Sequence, residues 1–284
     1  MTTFRLDAGG QTLALAVTMG LPEVIYWGAR LPADENLDVL AQAGLNDVTG
    51  GMLDALPSLS LTPEAGRAFQ GQPGLVLSDA DGTPLLPAFH FDHAETAPNH
   101  LRLISHAGDL TLTHDIRAST AGILTLQTEL TSGAPIRLHW LAAPVLPAPQ
   151  LAGHMIDVSG KWTREFALNH VPWTPGIRLR ESRTGRSGHE HPPYLILPET
   201  GCTNTQGTAF ALHYGWSGGH RMVAEELPDG RRQIQFGHAA GAETEPGQHF
   251  QTAPLYAAFS TTGLNGIGTA YQHHIRDDIV QWPN

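Results

Sequence analysis

Alternation of apolar and polar residues with a period of two is the feature that most constrains this chain. In residues 110–117, leucine, histidine and isoleucine at every second position are separated by threonine, aspartate and arginine. Residues 124–130 follow the same pattern after a glycine at position 122. Because successive side chains of a strand point to opposite faces, each segment has one largely apolar and one polar face. This pattern is typical of an antiparallel sheet that is covered on one side.

Turn-forming residues occur throughout the chain and separate many short apolar segments. The sequence contains 31 glycines and 21 prolines, and these residues punctuate strands more often than long helices. A strand–helix–strand rhythm and a fixed-period repeat are both absent from the sequence, which argues against barrels, propellers and solenoids. We therefore predict an all-β fold, a large antiparallel sandwich of two sheets packed face to face.

Three segments depart from the strand pattern. Residues 34–45 have apolar side chains at a weak helical period, and residues 267–279 predict a short helix near the end of this sequence. Residues 46–73 contain no sustained alternation. A segment of this length without regular structure is usually functional or an arm that takes part in an interface.

Composition disfavours several classes of partner. The formal net charge is −11, which disfavours nucleic acid and anionic membranes and fits a neutral ligand. The single cysteine, Cys202, cannot form an internal disulfide, is compatible with a reducing compartment and has no activating neighbour in sequence. Neither a signal peptide nor a membrane-spanning apolar run is recognisable. We expect a cytoplasmic protein that binds neither nucleic acid nor membrane.

Motifs that could carry chemistry lack the partners that such chemistry needs. His189 and His191 would share one face of a strand, but no third ligand stands at a suitable spacing, so we expect no metal and no cofactor. Ser187 is outside the strand–turn–helix context of a nucleophile elbow. Asp79 and Asp81 could be paired carboxylates. However, Asp81 and Gly82 form an Asp-Gly dipeptide, which favours a hairpin turn.

The segment around Trp162 has two interpretations. An exposed indole beside Arg164 and Glu165 could form a platform for a sugar ring. The interpretation that we favour from the spacing is a buried aromatic residue with a structural Arg–Glu pair that holds strands together. We expect His189 and His191 to order a neighbouring loop.

Four segments of the chain match a set of motifs in the same order. They are Gly160–Glu165 (Gly-x-Trp-x-Arg-Glu), Gly185–Tyr194 (Gly-x-Ser-Ser-His-x-x-x-Pro-Phe), Glu245–Pro254 (Pro-Gly-Glu-x-Phe-x-Thr-Pro) and Tyr256–Gly266 (Tyr-Ser-x-x-Gly-Leu-Asn-Gly). Together they resemble the N-terminal β-domain of glycoside hydrolase family 36 α-galactosidases. This sequence departs from two other motifs of that family. Ser-Leu-Asp-x-x-Pro-Gln-Glu-Tyr-Pro is reduced to Leu53–Pro57, and Gly-Asp-Phe-Arg-x-Pro is not recognisable near residues 66–73.

The resemblance implies a β-supersandwich of the galactose-mutarotase-like superfold with a short C-terminal helix. In this scheme residues 1–270 form the N-terminal domain, and residues 271–284 begin the linker to a (β/α)₈ catalytic barrel that is absent from this chain. Members of the family hydrolyse terminal α-galactosides such as melibiose and raffinose with retention, using two aspartates of the barrel. The resemblance therefore places no catalytic residue in this chain, which would serve as a scaffold and in oligomerisation.

The resemblance also implies partners and one candidate site residue. Asp54 matches a family position in the arm that reaches towards an active site, so it is a candidate substrate-binding residue; otherwise it is a loop aspartate that caps a turn. The implied partners are an α-galactoside bound by the parent enzyme, the enzyme's own barrel and further copies of the chain. A stand-alone carbohydrate-binding or aldose-epimerase-like sandwich is the alternative, because one superfold supports many functions.

Overall fold

The computed structural model describes residues 1–44 and 56–282, which form two α-helices and a series of β-strands. The helices are α1 (Leu37–Ala43) and α2 (Gly263–His274), with a 3-10 turn at Ala65–Arg67 and a π-helical turn at Ile275–Ile279. The strands are β1 (Thr2–Ala8), β2 (Gln11–Val17), β3 (Pro22–Ala29), β4 (Leu75–Asp79), β5 (Pro84–Leu85), β6 (His90–Ala97), β7 (His100–Ala107), β8 (Leu110–Ala118), β9 (Ile123–Leu141), β10 (Leu146–Pro147), β11 (His154–Lys161), β12 (Arg164–Pro172), β13 (Gly176–Ser182), β14 (Tyr194–Pro198), β15 (Ala209–Tyr214), β16 (His220–Glu226), β17 (Arg232–His238), β18 (Gly247–Gln251) and β19 (Leu255–Ser260).

The described strands pair antiparallel in three sheets. The largest has twelve strands, in the order β12-β11-β14-β15-β19-β9-β8-β7-β6, and β18 and β4 pair with other parts of β9 while β5 pairs with β4. A four-stranded sheet has the order β10-β17-β16-β13, and a three-stranded sheet has the order β1-β2-β3. The predicted all-β, antiparallel fold class is confirmed.

The order in which the sheets are layered is shown by the core residues that they share. The main core combines Leu13 of the three-stranded sheet, Leu126 of the large sheet and Ile234 of the four-stranded sheet. The two smaller sheets therefore cover one face of the large sheet. Helix α2 covers part of the opposite face, where Ile267 packs with Ile196. This arrangement is the predicted supersandwich with a short C-terminal helix.

The long strand β9 extends well beyond the alternating segment that the sequence shows at residues 124–130. Gly133 and Pro135 suggest a break, yet the chain remains extended through them. Strand pairing continues around this point, because β8 pairs with β9 up to Ser132 and β18 pairs with it at Ile136. Tertiary pairing thus overrides a local turn signal.

The helices occur in the segments where the sequence predicts them, but their bounds differ. Helix α1 is shorter than residues 34–45, whereas α2 begins before position 267, at Gly263, and ends at His274. Asn36 sets the start of α1, because its side chain accepts hydrogen bonds from the backbone N–H groups of Asp38 and Val39. Helix α2 runs through residue 270, and the domain boundary predicted there remains a prediction. Neither helix of the described residues has the length and apolar character needed to cross a membrane.

Candidate functional site

Asp54, the candidate substrate-binding residue, lies outside the described residues. The structure does describe the residues on either side, helix α1 before it and residues 56–74 after it. We call residues 56–74 the arm. The hydrogen bonds of the arm determine whether the segment that precedes it in the sequence is attached to a rigid part of the domain.

The start of the arm is attached to two sheets. The backbone N–H of Leu61 donates to Pro22 O at 2.9 Å, and the Ser58 hydroxyl donates to Glu23 Oε2 at 2.8 Å. From the four-stranded sheet side, Arg231 Nη1 donates to Pro57 O at 2.7 Å. The arm therefore joins the edge of the three-stranded sheet to the loop before β17.

The middle of the arm enters the core through Thr62. Its hydroxyl lies 2.8 Å from His114 Nε2, and both side chains are fully buried. Burial lowers the pKa of His114 to about 3, because a charged imidazole is poorly solvated there. His114 is therefore neutral at physiological pH and acts as a polar anchor for the arm.

A buried carboxylate fixes the next turn of the arm. Glu64 Oε1 accepts the backbone N–H of Phe89 at 2.6 Å, and Glu64 Oε2 accepts Arg67 Nε at 2.6 Å. Burial raises the pKa of Glu64, although these hydrogen bonds and the charge of Arg67 favour the ionised form. The contact ties the arm to the segment before β6.

The end of the arm rests on a buried polar network of the four-stranded sheet. The backbone N–H of Gln72 donates to Glu225 Oε2 at 2.7 Å. The backbone carbonyl of Gln72 accepts hydrogen bonds from the side-chain amides of Gln233 at 3.0 Å and Gln235 at 2.7 Å. The arm is thus hydrogen-bonded along its whole described length, so it provides a fixed base for the segment that carries Asp54.

The structure contradicts the interpretation favoured from the spacing around Trp162, which was a buried aromatic residue. Trp162 is 79% exposed at the tip of the β11–β12 hairpin, so it is not a buried aromatic residue. Glu165 Oε1 accepts the backbone N–H of Thr163 at 2.9 Å and caps the turn. Thr163 and Phe166 adopt left-handed backbone conformations, with φ of 69° and 55°, and this local geometry turns the indole outwards.

The charged group that does hold strands together is Asp157, which the sequence analysis missed. Asp157 is 2% exposed and accepts hydrogen bonds from Arg178, Arg180 and Asn169. Burial alone would raise the pKa of Asp157, but the hydrogen bonds from Asn169 and the two arginines lower it. The cluster connects β11 of the large sheet to β13 of the four-stranded sheet. The signal was an aspartate within the apolar run of β11, facing arginines at every second position of β13.

The loop histidines behave as predicted in part. Arg180 Nη2 donates to the His191 ring and, at 2.8 Å, to Glu190 O, so His191 does help to order its loop. His189 is exposed. Within residues 1–44 and 56–282, no group of three or more His, Cys, Asp or Glu side chains is arranged to hold a metal ion.

Two other sequence interpretations can be compared directly with the structure. Asp79 Oδ1 accepts the backbone N–H groups of Asp81 at 3.0 Å and Thr83 at 2.8 Å, and Gly82 has φ of 95°. The hairpin turn is confirmed, and these aspartates are not a catalytic pair. Cys202 is half-buried, and burial together with the charge of Glu199 raises the pKa of its thiol, as expected of an unreactive cysteine.

A polar groove of about 350 Å³ runs over the exposed face of β7, β8 and β9. His100 Nε2 lies 2.7 Å from Asp115 Oδ2, and Arg117 Nε donates to Asp115 Oδ1 at 2.8 Å. His249 Nε2 lies 2.8 Å from Glu129 Oε1. Among the residues that the structure describes, the lining contains no Phe, Tyr or Trp side chain on which a sugar ring could stack, and its charges pair with one another. The groove is therefore a solvated face with paired charges.

The fold and the site define the chain as an antiparallel β-supersandwich domain with an anchored arm and an exposed β11–β12 hairpin. The model of the glycosyl hydrolase family 36 N-terminal domain matches residues 20–243, and the chain belongs to this family. The resemblance stated from the four motifs is thereby confirmed.

Individual relatives agree with this assignment. An α-galactosidase of Escherichia coli is 33% identical over 272 residues, which is 92% of this chain and 37% of that protein. The α-galactosidase AgaA of Geobacillus stearothermophilus is 25% identical over 220 residues, 76% of this chain and 29% of that protein. The chain thus spans less than half the length of the curated relatives that it matches here.

Solved structures share the fold. The structure of a variant of the family 36 α-galactosidase AgaA from Geobacillus stearothermophilus, in complex with 1-deoxygalactonojirimycin, superposes with a TM-score of 0.86 at 18% identity. It covers 99% of this chain and 44% of that one. The galactosidase domain of the α-galactosidase–sucrose kinase AgaSK gives a TM-score of 0.82 at 19% identity, covering 97% and 43%.

Proposed function

We propose that this chain acts as the N-terminal, non-catalytic domain of a retaining α-galactosidase that removes terminal α-galactosyl residues. The observation that carries the proposal is the family match over residues 20–243, together with 33% identity to an α-galactosidase over almost the whole chain. The two catalytic carboxylates would belong to a (β/α)₈ barrel outside residues 1–284, joined through residues 271–284.

Asp54 is proposed to contact the sugar bound in that barrel. The support is the arm, which is hydrogen-bonded to the three-stranded sheet at Ser58, to the core at Thr62 and to the four-stranded sheet at Gln72. A fixed base reduces the entropy lost when a contributed side chain meets the substrate. A carboxylate suits this role because it accepts hydrogen bonds from vicinal hydroxyl groups.

Two exposed apolar surfaces support the proposed partners. Ile279 and Trp282, 47% and 67% exposed, follow α2 and would be covered by the barrel. Trp162 and Phe166, 79% and 73% exposed, lie at the free edge of the large sheet and would contact a second copy of the chain. A cytoplasmic location is proposed from the single cysteine, Cys202.

One experiment with two parts tests this function. The purified chain is assayed with p-nitrophenyl α-galactoside, and no turnover above buffer is expected because the catalytic carboxylates are supplied by the barrel. In the complete enzyme, Asp54→Asn is expected to raise KM for raffinose by about 10-fold or more, because the substitution replaces one carboxylate acceptor oxygen with an NH2 donor and removes the charge that strengthens hydrogen bonds to sugar hydroxyls.

Either part can contradict the proposal. Turnover by the isolated chain that follows the protein through two successive columns would show that it carries its own active site. An unchanged KM in the Asp54→Asn enzyme would remove Asp54 from the substrate site and leave the scaffold role intact. Saturable galactose binding to the isolated chain, followed by NMR titration, would favour the stand-alone sugar-binding alternative.

A further inference from the structure

Two histidines face each other on the β11–β12 hairpin and have no part in the function proposed above. His154 Nε2 and His170 Nδ1 are 3.1 Å apart, and the two rings stack with centroids 5.2 Å apart at 29°. His154 pairs with Pro172 and His170 pairs with Ile156, so the histidines are diagonal neighbours on one face of the hairpin.

The distance between the two nitrogens matches the distance between two nitrogen ligands of one metal ion. Imidazole nitrogens bind zinc and similar ions at about 2.0–2.1 Å, so two ligands at 90° to 110° from one ion stand about 2.9 to 3.4 Å apart. The observed 3.1 Å falls within this range. The strand pairing holds the two backbone positions, so that directing both lone pairs at a common point requires rotation of the two rings about their side-chain bonds and no backbone change.

The surroundings of the pair allow an ion to enter with its water. His170 is exposed and His154 is half-buried, so one side of the pair opens to solvent. Three or more protein ligands are not gathered anywhere in the described part of the chain, and the remaining positions would therefore be filled by water. In the ion-free form the short contact requires one ring to donate its N–H to the other ring. With an ion bound, the donating ring would carry its hydrogen on its other nitrogen, so that both facing nitrogens offer lone pairs while both rings stay neutral.

The geometry points to a metal site at this pair: His154 Nε2 and His170 Nδ1 together bind one divalent transition-metal ion of the Cu²⁺, Ni²⁺ and Zn²⁺ class. Two neutral imidazoles suit these borderline ions, and Cu²⁺ binds tightest in the usual order of divalent metals. The bound ion would crosslink β11 to β12 and so stiffen the hairpin that carries Trp162.

The test is a titration of the purified chain with Cu²⁺, followed by calorimetry and electron paramagnetic resonance. One tight equivalent is expected, with a spectrum that shows nitrogen ligands in the equatorial plane. His154→Gln and His170→Gln are each expected to weaken this binding by about 10- to 100-fold, because one of two protein ligands is lost. Thermal unfolding followed by circular dichroism verifies that both variants are folded.

His93→Gln is the matched control, because His93 is another exposed strand histidine and its Nδ1 lies 2.7 Å from Asp92. This variant is expected to keep the wild-type affinity. Equal affinities in the wild type and both pair variants would overturn the proposal, and so would loss of the tight equivalent in the His93 variant alone. Binding that is only millimolar in the wild type would also overturn it.

Discussion

At the scale of single residues, His114 is a titratable side chain that folding removes from water. It is fully buried, its Nε2 contacts Thr62 at 2.8 Å, and burial lowers its pKa to about 3. The unfolded chain exposes this histidine, where its pKa is near 6.5. Between pH 6.5 and 3 the unfolded state therefore binds more protons than the native state, and stability falls as the pH falls.

The chain is predicted to lose about 2 kcal/mol of unfolding free energy from His114 alone between pH 7 and pH 5. Urea denaturation at a series of pH values measures this slope. His114→Gln should be less stable at pH 7, because it leaves the core less well packed, but its slope over this range should be shallower. Identical slopes in the two proteins would show that His114 is not the buried group that titrates.

Features of single residues were predictable from the sequence where they depend on interactions between residues close together in the chain. The Asp79 turn follows from hydrogen bonds within four residues and from one glycine with positive φ, so its sequence signal was sufficient. The outward position of Trp162 depends on left-handed conformations at Thr163 and Phe166, which no spacing of residue types reveals. Asp157 and Arg178 meet across two sheets and are 21 positions apart, so their pairing required the tertiary fold.

At the scale of elements, the arm depends on close packing against the four-stranded sheet. A Cβ added to Gly71 would lie 2.3 Å from Leu227 Cδ2 and 2.7 Å from Glu225 Oε2. Side chains of the sheet would have to move, and Glu225 is the acceptor that holds the backbone of Gln72. At Gly71, one added methyl group would therefore displace the buried side chains on which the end of the arm rests.

Gly71→Ala is predicted to destabilise the chain by about 1–3 kcal/mol and to loosen the arm, because overpacking forces the neighbouring side chains away. Limited proteolysis with mass spectrometry should show faster cleavage within residues 56–74. Gly10→Ala is the control, since a Cβ there has no heavy atom within 4 Å. Equal cleavage rates in the two variants would mean that the arm is not held at Gln72.

The sequence predicted the elements better than their extents. The alternation in residues 110–117 identified β8 because one face of that strand is buried against the core and the other is not. On β13 the pattern is inverted, with Ile177 and Leu179 exposed while Arg178 and Arg180 reach Asp157. Alternation alone gives the period of a strand, and only the partner sheet decides which face is buried.

At the scale of the whole molecule, the large sheet ends at β12, and no other strand of residues 1–44 and 56–282 pairs with the outer side of that strand. Such an edge presents unpaired backbone groups, and proteins usually protect it with charge, proline or a covering element. Here the edge carries Phe166 and Leu168, which are 73% and 56% exposed, and Trp162 lies at its end. A second copy related by a two-fold axis would pair the same strand with itself and cover these side chains.

The chain is therefore predicted to self-associate through β12, with Trp162 as a central contact. Trp162→Ala should weaken the association by about 2 kcal/mol, or roughly 30-fold in Kd, because a buried interface tryptophan commonly contributes this much. Light scattering coupled to size-exclusion chromatography over a range of concentrations measures the change. Trp282→Ala is the control, because Trp282 is 67% exposed near the end of the described chain, far from β12 in the sequence, and should leave the Kd unchanged. A chain that remains monomeric at high concentration, or equal effects of the two substitutions, would show that this edge is not the interface.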